Sequence, residues 1–248
     1  AKGSVYKIAK LQRKKGATET GSFIDQPITT RLEIGTLPNS DEPILYVTTG
    51  QYLSLDDLTD NNVQSLYALR DPYFQYTGLP DADIPAYNAA GFYGNPRAYK
   101  TGAAQEFVKR TVVDKTVTKG GVTTTVRQIA DLATGKNVTL SGANGNAGWY
   151  LDFPDKGERV SLDPLLVLGT LTISSNVVNS DTADPGCEVG GYSWLYQLDY
   201  STGGKVPTSP DDAVAFKVPG AIVVGTVAVR LPSGLLKLIT TTATGQKI

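Results

Sequence analysis

Gly190-Gly191-Tyr192-Ser193-Trp194-Leu195-Tyr196-Gln197-Leu198-Asp199 is the stretch whose reading decides the fold. It is an aromatic and aliphatic run with glycines in front and Thr202-Gly203-Gly204 behind. Such a composition suits a pleated, half-buried strand, and the Thr-Gly-Gly that follows is turn chemistry that ends it. Working outward, similar runs recur at 44–48, 148–153, 165–174, 221–231 and 235–240, separated by Gly, Pro, Asn and Asp. The clearest hairpin joins 111–118 to 122–127 through Lys119-Gly120-Gly121, where two glycines can supply the positive φ of a tight turn. Helix signals are few. Residues 55–69 carry some 3.6-residue periodicity, but Asp and Asn crowd it, so a short helix after Tyr52 is expected.

Tyrosines flanked by aliphatics at 6, 67, 150 and 196 form a weak internal repeat, and 235–239 is a candidate fifth copy. The interval from Tyr150 to Tyr196 fits one four-stranded propeller blade of roughly 40–50 residues, and the longer intervals read as blades with insertions. The chain is therefore taken as a single unit, 1–248, with an irregular insertion at 71–109. Prolines within 71–99 forbid long regular structure there. Its aromatics Tyr73, Phe74, Tyr76, Tyr87, Phe92, Tyr93 and Tyr99 require that it pack against something. A long ordered loop on a rigid scaffold is a common place for binding function.

Composition closes several routes. The 248 residues carry 23 Lys and Arg against 24 Asp and Glu, a net charge of −1, which lacks the footprint of a nucleic-acid binder. Histidine is absent, so Ser-His-Asp and Cys-His catalysis and His-based zinc sites cannot be built within the chain. No apolar run reaches the roughly 18–20 residues of a membrane helix. Met is absent even at position 1, so the sequence reads as a processed or excised piece. The one cysteine, Cys187, lies in a loop. It is expected either to bond a cysteine elsewhere or to be a small buried group.

Composition leaves carboxylate catalysis open. Asp152, Asp155, Glu158 and Asp163 cluster in sequence, and two carboxylates suffice for glycoside hydrolysis. But Asp155-Lys156-Gly157-Glu158-Arg159 reads as a charged, solvated turn. Asp56-Asp57 with Asp60, and Asp81 with Asp83, are too sparse for a calcium loop and read as turn and cap residues. No catalytic, cofactor-binding or metal residue is nominated. Gly50, Trp149, Trp194 and Thr202-Gly203-Gly204 are assigned to the scaffold.

Several segments together resemble the C-terminal β-propeller of the PilC/PilY family of type IV pilus biogenesis factors and tip adhesins. They are Gln26-Pro27-Ile28-Thr29-Thr30, the run from Ile44 to Leu53, Asp57-Leu58-Thr59 and the run from Val63 to Asp71. Further on come Gly148-Trp149-Tyr150-Leu151-Asp152-Phe153, Gly157-Glu158-Arg159-Val160, Asp163-Pro164-Leu165, Asp184-Pro185-Gly186-Cys187 and the opening stretch. The closing part, 220–245, looks like the family's last strands.

The resemblance implies an all-β fold, a partial β-propeller of about four blades from a larger ring. It implies a non-catalytic, pilus-associated protein at the cell surface, at the pilus tip or outer membrane, exported through the periplasm. Its implied partners are minor pilins, the remaining N-terminal part of the same protein, and a surface or host ligand. Neither nucleic acid nor a membrane span is implied. No cofactor is implied for this segment, and the calcium loop that the family often carries would lie in the part of its propeller missing from this chain. Two other readings stand beside it. One is a structural subunit of another surface assembly. The other is a quinone-dependent dehydrogenase-like propeller, to whose strand–turn sequence 198–203 is similar.

Overall fold

The structure is a computed structural model and describes residues 7–14, 22–74, 93–100, 105–134, 136–140, 145–178, 190–233 and 236–247. Its regular elements are strands and short 3-10 turns. The strands in chain order begin with β1 (Gln12–Lys14), β2 (Phe23–Asp25), β3 (Glu33–Thr36), β4 (Pro43–Thr48) and β5 (Ser65–Arg70). Next come β6 (Phe107–Arg110), β7 (Val112–Lys119), β8 (Val122–Ile129), β9 (Gly148–Asp152), β10 (Arg159–Val160) and β11 (Leu165–Val167). The last are β12 (Thr170–Val178), β13 (Gly191–Asp199), β14 (Ala213–Val218), β15 (Val223–Arg230) and β16 (Leu236–Thr242).

They form four sheets. A five-stranded sheet runs β3-β4-β5-β9-β6, antiparallel except for β6, which lies parallel to β9. A seven-stranded sheet runs β10-β12-β13-β14-β8-β7, with β11 also on β12. The pairs β1-β2 and β15-β16 stand as two-stranded sheets. The two large sheets share one core: Ile44, Tyr46, Leu66, Trp149 and Leu151 from the first meet Leu171, Ile173, Trp194, Tyr196 and Leu198 from the second. Strand alternation explains this, because Trp194, Tyr196 and Leu198 all fall on one face of β13. The seam is closed by the Tyr46 hydroxyl, which donates to the Tyr200 carbonyl at 2.9 Å, and by the Phe153 and Tyr196 rings, 5.5 Å apart. The other face of the five-stranded sheet carries a second core, in which Tyr67, Leu69, Phe107 and Tyr150 pack under Leu11 and Tyr93.

Most expected strands are present, with informative differences. The 111–127 hairpin is β7–β8: Lys119 pairs with Val122, and Gly120 and Gly121 turn the chain with φ of 55° and 80°. Two adjacent positive φ values are what a two-residue type I′ turn needs. The expected single strand at 165–174 is instead a second tight hairpin, β11–β12, turning at Leu168 and Gly169 (φ 48° and 78°). The helix expected after Tyr52 shrinks to one 3-10 turn, Leu55–Leu58, and the end of its periodic window, from Ser65, is β5. Leu66, Ala68 and Leu69 of β5 are buried on the two faces of the sheet, and tertiary burial overrides the helical spacing. Tyr67 pairs directly with Tyr150 across β5 and β9, so two copies of the repeat are neighbours in one sheet rather than separate blades. Of the insertion, 71–74 and 93–100 are irregular apart from a 3-10 turn at Pro96–Ala98, whereas 107–109 belong to β6. Tyr6, Tyr76, Asp81, Asp83, Tyr87, Phe92 and Cys187 lie outside the described residues.

Candidate functional site

The candidate site is the clasp that seats the end of the insertion on the five-stranded sheet. Pro at the first position favours the turn Pro96–Ala98, and the Asn95 side chain caps it by accepting the Arg97 N–H at 3.1 Å. The turn aims Arg97 at the outer face of β5 and β9. There Tyr67 and Tyr150 stack with centroids 5.9 Å apart, and the guanidinium lies 4.7 Å over the Tyr150 ring. Arg97 donates to the Tyr67 hydroxyl at 2.9 Å, to Ser65 Oγ at 2.6 Å and to both oxygens of Asp152. Lys109 of β6 adds a second cation 3.2 Å from Asp152. The Tyr67 hydroxyl in turn donates to Gln26 Oε1 at 2.6 Å, and the Gln26 amide donates to the Val63 carbonyl and Ser65 Oγ at 3.0 Å each. Burial pushes the Tyr67 hydroxyl up to about 12, so it stays a neutral donor. Burial also raises Asp152, but Arg97 and Lys109 more than offset it and hold the carboxyl below its ordinary range.

A second ionic cluster lies between β8, β13 and the turn before β10. Arg127, fully buried, sits 3.8 Å over the Trp194 ring. Its NH1 meets both oxygens of Glu158 at 2.8 and 2.9 Å, and its NH2 is 2.8 Å from Asp155. Glu158 also accepts from Ser175 at 2.6 Å and from the Tyr196 hydroxyl at 2.9 Å, while Asp155 accepts from Trp194 Nε1 at 2.8 Å and Tyr192 at 2.9 Å. Burial raises the Glu158 carboxyl against the opposing pull of Arg127. The expected solvated turn at 155–159 is thus corrected: Glu158 and Arg159 are each 1% exposed. Arg159 points back under the Gln51–Asp60 loop and donates to the carbonyls of Gln51, Asp57, Asp60 and Gly157. Asp57 is a cap, as expected, accepting the N–H groups of Leu53 and Ser54 at 2.8 Å each and Gln51 Nε2 at 2.6 Å. These donors hold its carboxyl down at about 2.

The four clustered carboxylates are therefore not a reacting pair. Asp152 answers Arg97, Asp155 and Glu158 share Arg127, and Asp163 at the surface meets Arg31 at 2.8 Å. A carboxylate held by a guanidinium and several donors is a poor general base or nucleophile at neutral pH, because its charge is already stabilised. Among the described residues no group of three or more Cys, Asp or Glu converges to hold a metal. Among the described residues no helix is long and apolar enough to cross a membrane. The residues that organise both clusters, Arg97 and Arg127, escaped the sequence reading. The only signal was a basic residue inside an apolar strand, Val126-Arg127-Gln128-Ile129, and after an Asn-Pro pair. Behind the β15–β16 hairpin, a groove of about 530 Å³ is lined by Leu195, Val206, Val218, Ala228 and Leu238.

No protein-family profile and no curated protein sequence matches the chain. Among solved structures it is similar to the C-terminal domain of Pseudomonas aeruginosa PilY1. The TM-score is 0.63 and the identity 17%, over 94% of this chain and 46% of that one. The chain thus spans a little under half the length of the structure it matches. At this identity the likeness speaks for architecture alone: the chain has the all-β, propeller-like fold of the PilY1 C-terminal domain over the part it matches.

Proposed function

We propose that this chain is a non-catalytic binding module of a type IV pilus, the C-terminal propeller part of a tip adhesin and assembly factor. The observation that carries the reading is the fold match over 94% of the chain. The neutralised carboxylates support binding over chemistry. In this reading minor pilins and the rest of the propeller are the protein partners, and a surface or host ligand is met by the insertion that Arg97 anchors. The placement is at the pilus tip, on the cell surface, reached through the periplasm.

Immunogold labelling of sheared pili tests this. One label at a filament end, together with co-purification of minor pilins, is the expected result. Label repeating along the filament would replace it with a structural subunit of another assembly. A quinone absorbance in the purified protein would favour the dehydrogenase reading instead.

A further inference from the structure

The β1–β2 pair and the connection that runs from Gln51 to Gln64 face each other across a cavity of about 370 Å³. Its walls are tied together. The Gly50 N–H donates to the Pro27 carbonyl at 2.9 Å, and the Gln26 amide donates to the Val63 carbonyl at 3.0 Å. Arg159 fixes the connection from behind through the carbonyls of Gln51, Asp57 and Asp60. The fold therefore holds the cavity open, and its volume is that of a small-molecule site. Gln64 is the anomaly in its wall. It is 2% exposed, yet among the described residues its Oε1 accepts no hydrogen bond. Neighbouring Gln26 is the contrast, since its side chain engages Tyr67, Val63 and Ser65. A buried amide with an unanswered end destabilises the fold unless a bound molecule answers it.

The groups around Gln64 select the class of that molecule. Gln51 gives its Nε2 to Asp57 at 2.6 Å, so its Oε1 remains as an acceptor. Asp60 accepts the Asn62 N–H at 2.9 Å, which sets its carboxylate and the Asn62 amide side by side on the cavity wall. Arg13 of β1 brings a guanidinium, and Ile24 and Pro27 supply an apolar patch. The carboxylates of Asp25 and Asp60 turn away a phosphate or sulfate, and Arg13 turns away an amine or a metal ion. A hydroxyl both donates and accepts, so it answers the carboxylates, the guanidinium and either end of an amide. Planar amide, carboxylate and guanidinium groups each offer two polar atoms at the spacing of a bidentate contact, which two adjacent hydroxyls satisfy. We propose that this cavity binds a neutral sugar, with adjacent ring hydroxyls on Gln64 and Asp60 and a C–H face against Ile24 and Pro27. The site lies apart from the insertion that Arg97 anchors and goes beyond the function proposed above.

Titration of the isotope-labelled 248-residue chain with the methyl glycosides of glucose, galactose, mannose and N-acetylglucosamine, followed by NMR, tests the proposal. At least one of them should bind and shift the side-chain amides of Gln64 and Asn62, and not the backbone amides of β7. Gln64→Leu keeps the bulk and removes the amide, and should weaken binding about tenfold or more. Its melting temperature should equal or exceed that of wild type, because the lost group has no protein partner to strand. Asn62→Ala, at the exposed rim, should weaken binding without touching the core, and it keeps the test alive if Gln64→Leu does not fold. No binding by any of the four glycosides, or binding indifferent to both substitutions, would overturn the proposal. So would a fall in the melting temperature of a folded Gln64→Leu, which would mean that the protein already answers the amide. Shifts at the same amides with inorganic phosphate or butylamine, and none with the glycosides, would overturn it in favour of a charged ligand. None of these results touches the pilus reading, which rests on the fold.

Discussion

Tyr67 stands directly opposite Tyr150 across β5 and β9, and the Arg97 guanidinium lies on the pair while bonded to the Tyr67 hydroxyl. One side chain thus joins an irregular connection to the sheet through stacking, hydrogen bonding and charge at once. Arg97→Ala leaves Asp152 part-buried, with Lys109 as the cation beside it and the Ser65 hydroxyl as a donor. The expected loss is about 3 kcal/mol, the scale for breaking a buried ion pair. Faster hydrogen exchange at 93–100, read against unchanged exchange in β12 and β13, would localise it. Arg97→Lys should recover little, since an ammonium cannot reproduce the planar fork.

Arg127 offers a sharper test, because it and Glu158 are both fully buried. Arg127→Met strands Glu158 without its counter-charge and should cost about 3–5 kcal/mol at neutral pH. Burial already raises the Glu158 carboxyl, and removing Arg127 raises it further. A carboxyl with a raised folded value favours the fold below its unfolded value and loses that advantage as pH climbs through the folded one. The deficit of Arg127→Met relative to wild type should therefore shrink as pH falls from 8 to 5. Denaturant midpoints at several pH values measure this, and a deficit that grows on acidification would refute it.

Asp57 predicts the opposite slope. Its folded value of about 2 lies below the ordinary 3.8, so its stabilisation is complete above about pH 4 and is lost as pH falls towards 2. Thermal melts should show wild type losing stability through that window. Asp57→Asn, less stable at pH 7, should lose less there, and the gap between the two curves should close near pH 2.

Gly50→Ala should be severe. A methyl at Gly50 would stand 2.6 Å from Arg159 Cβ and 2.9 Å from the Val160 nitrogen, at a φ of +140° that L side chains avoid. Backbone cannot give way as a flexible side chain can, and the expected cost is about 3 kcal/mol or more. Loss of the Arg159 contacts to the Gln51–Asp60 loop should accompany it, visible as faster exchange there.

The elements legible in the sequence were those specified by local chemistry. Gly120-Gly121 dictates its own turn, and the aromatic run of β13 dictates a buried strand. Leu168-Gly169 was missed because a positive φ at leucine is set by the hairpin around it rather than by the residue. The 55–69 window misled because Leu66 and Leu69 are buried on opposite faces of one sheet, which imitates helical spacing. The ionic clusters were hidden for a different reason. Arg127 reaches Glu158 across 31 positions and Arg97 reaches Asp152 across 55, and pairing at such separations leaves no local trace. Grouping 152, 155, 158 and 163 as one acidic patch was therefore a property of the string, and each carboxylate was already committed to an arginine elsewhere.

The order in which the chain visits its sheets has one more consequence. It lays down β3 to β6 in the five-stranded sheet, crosses for β7 and β8, returns for β9, and then completes the seven-stranded sheet. Each large sheet thus holds a strand pair or a single strand that the other interrupts. No single cut in the backbone yields a fragment containing one whole sheet and nothing of the other. Recombination could not have inserted or removed either sheet as a cassette, and a ribosome must release the chain past β14 before the second sheet can finish. The two sheets are bound to appear, and to be lost, together.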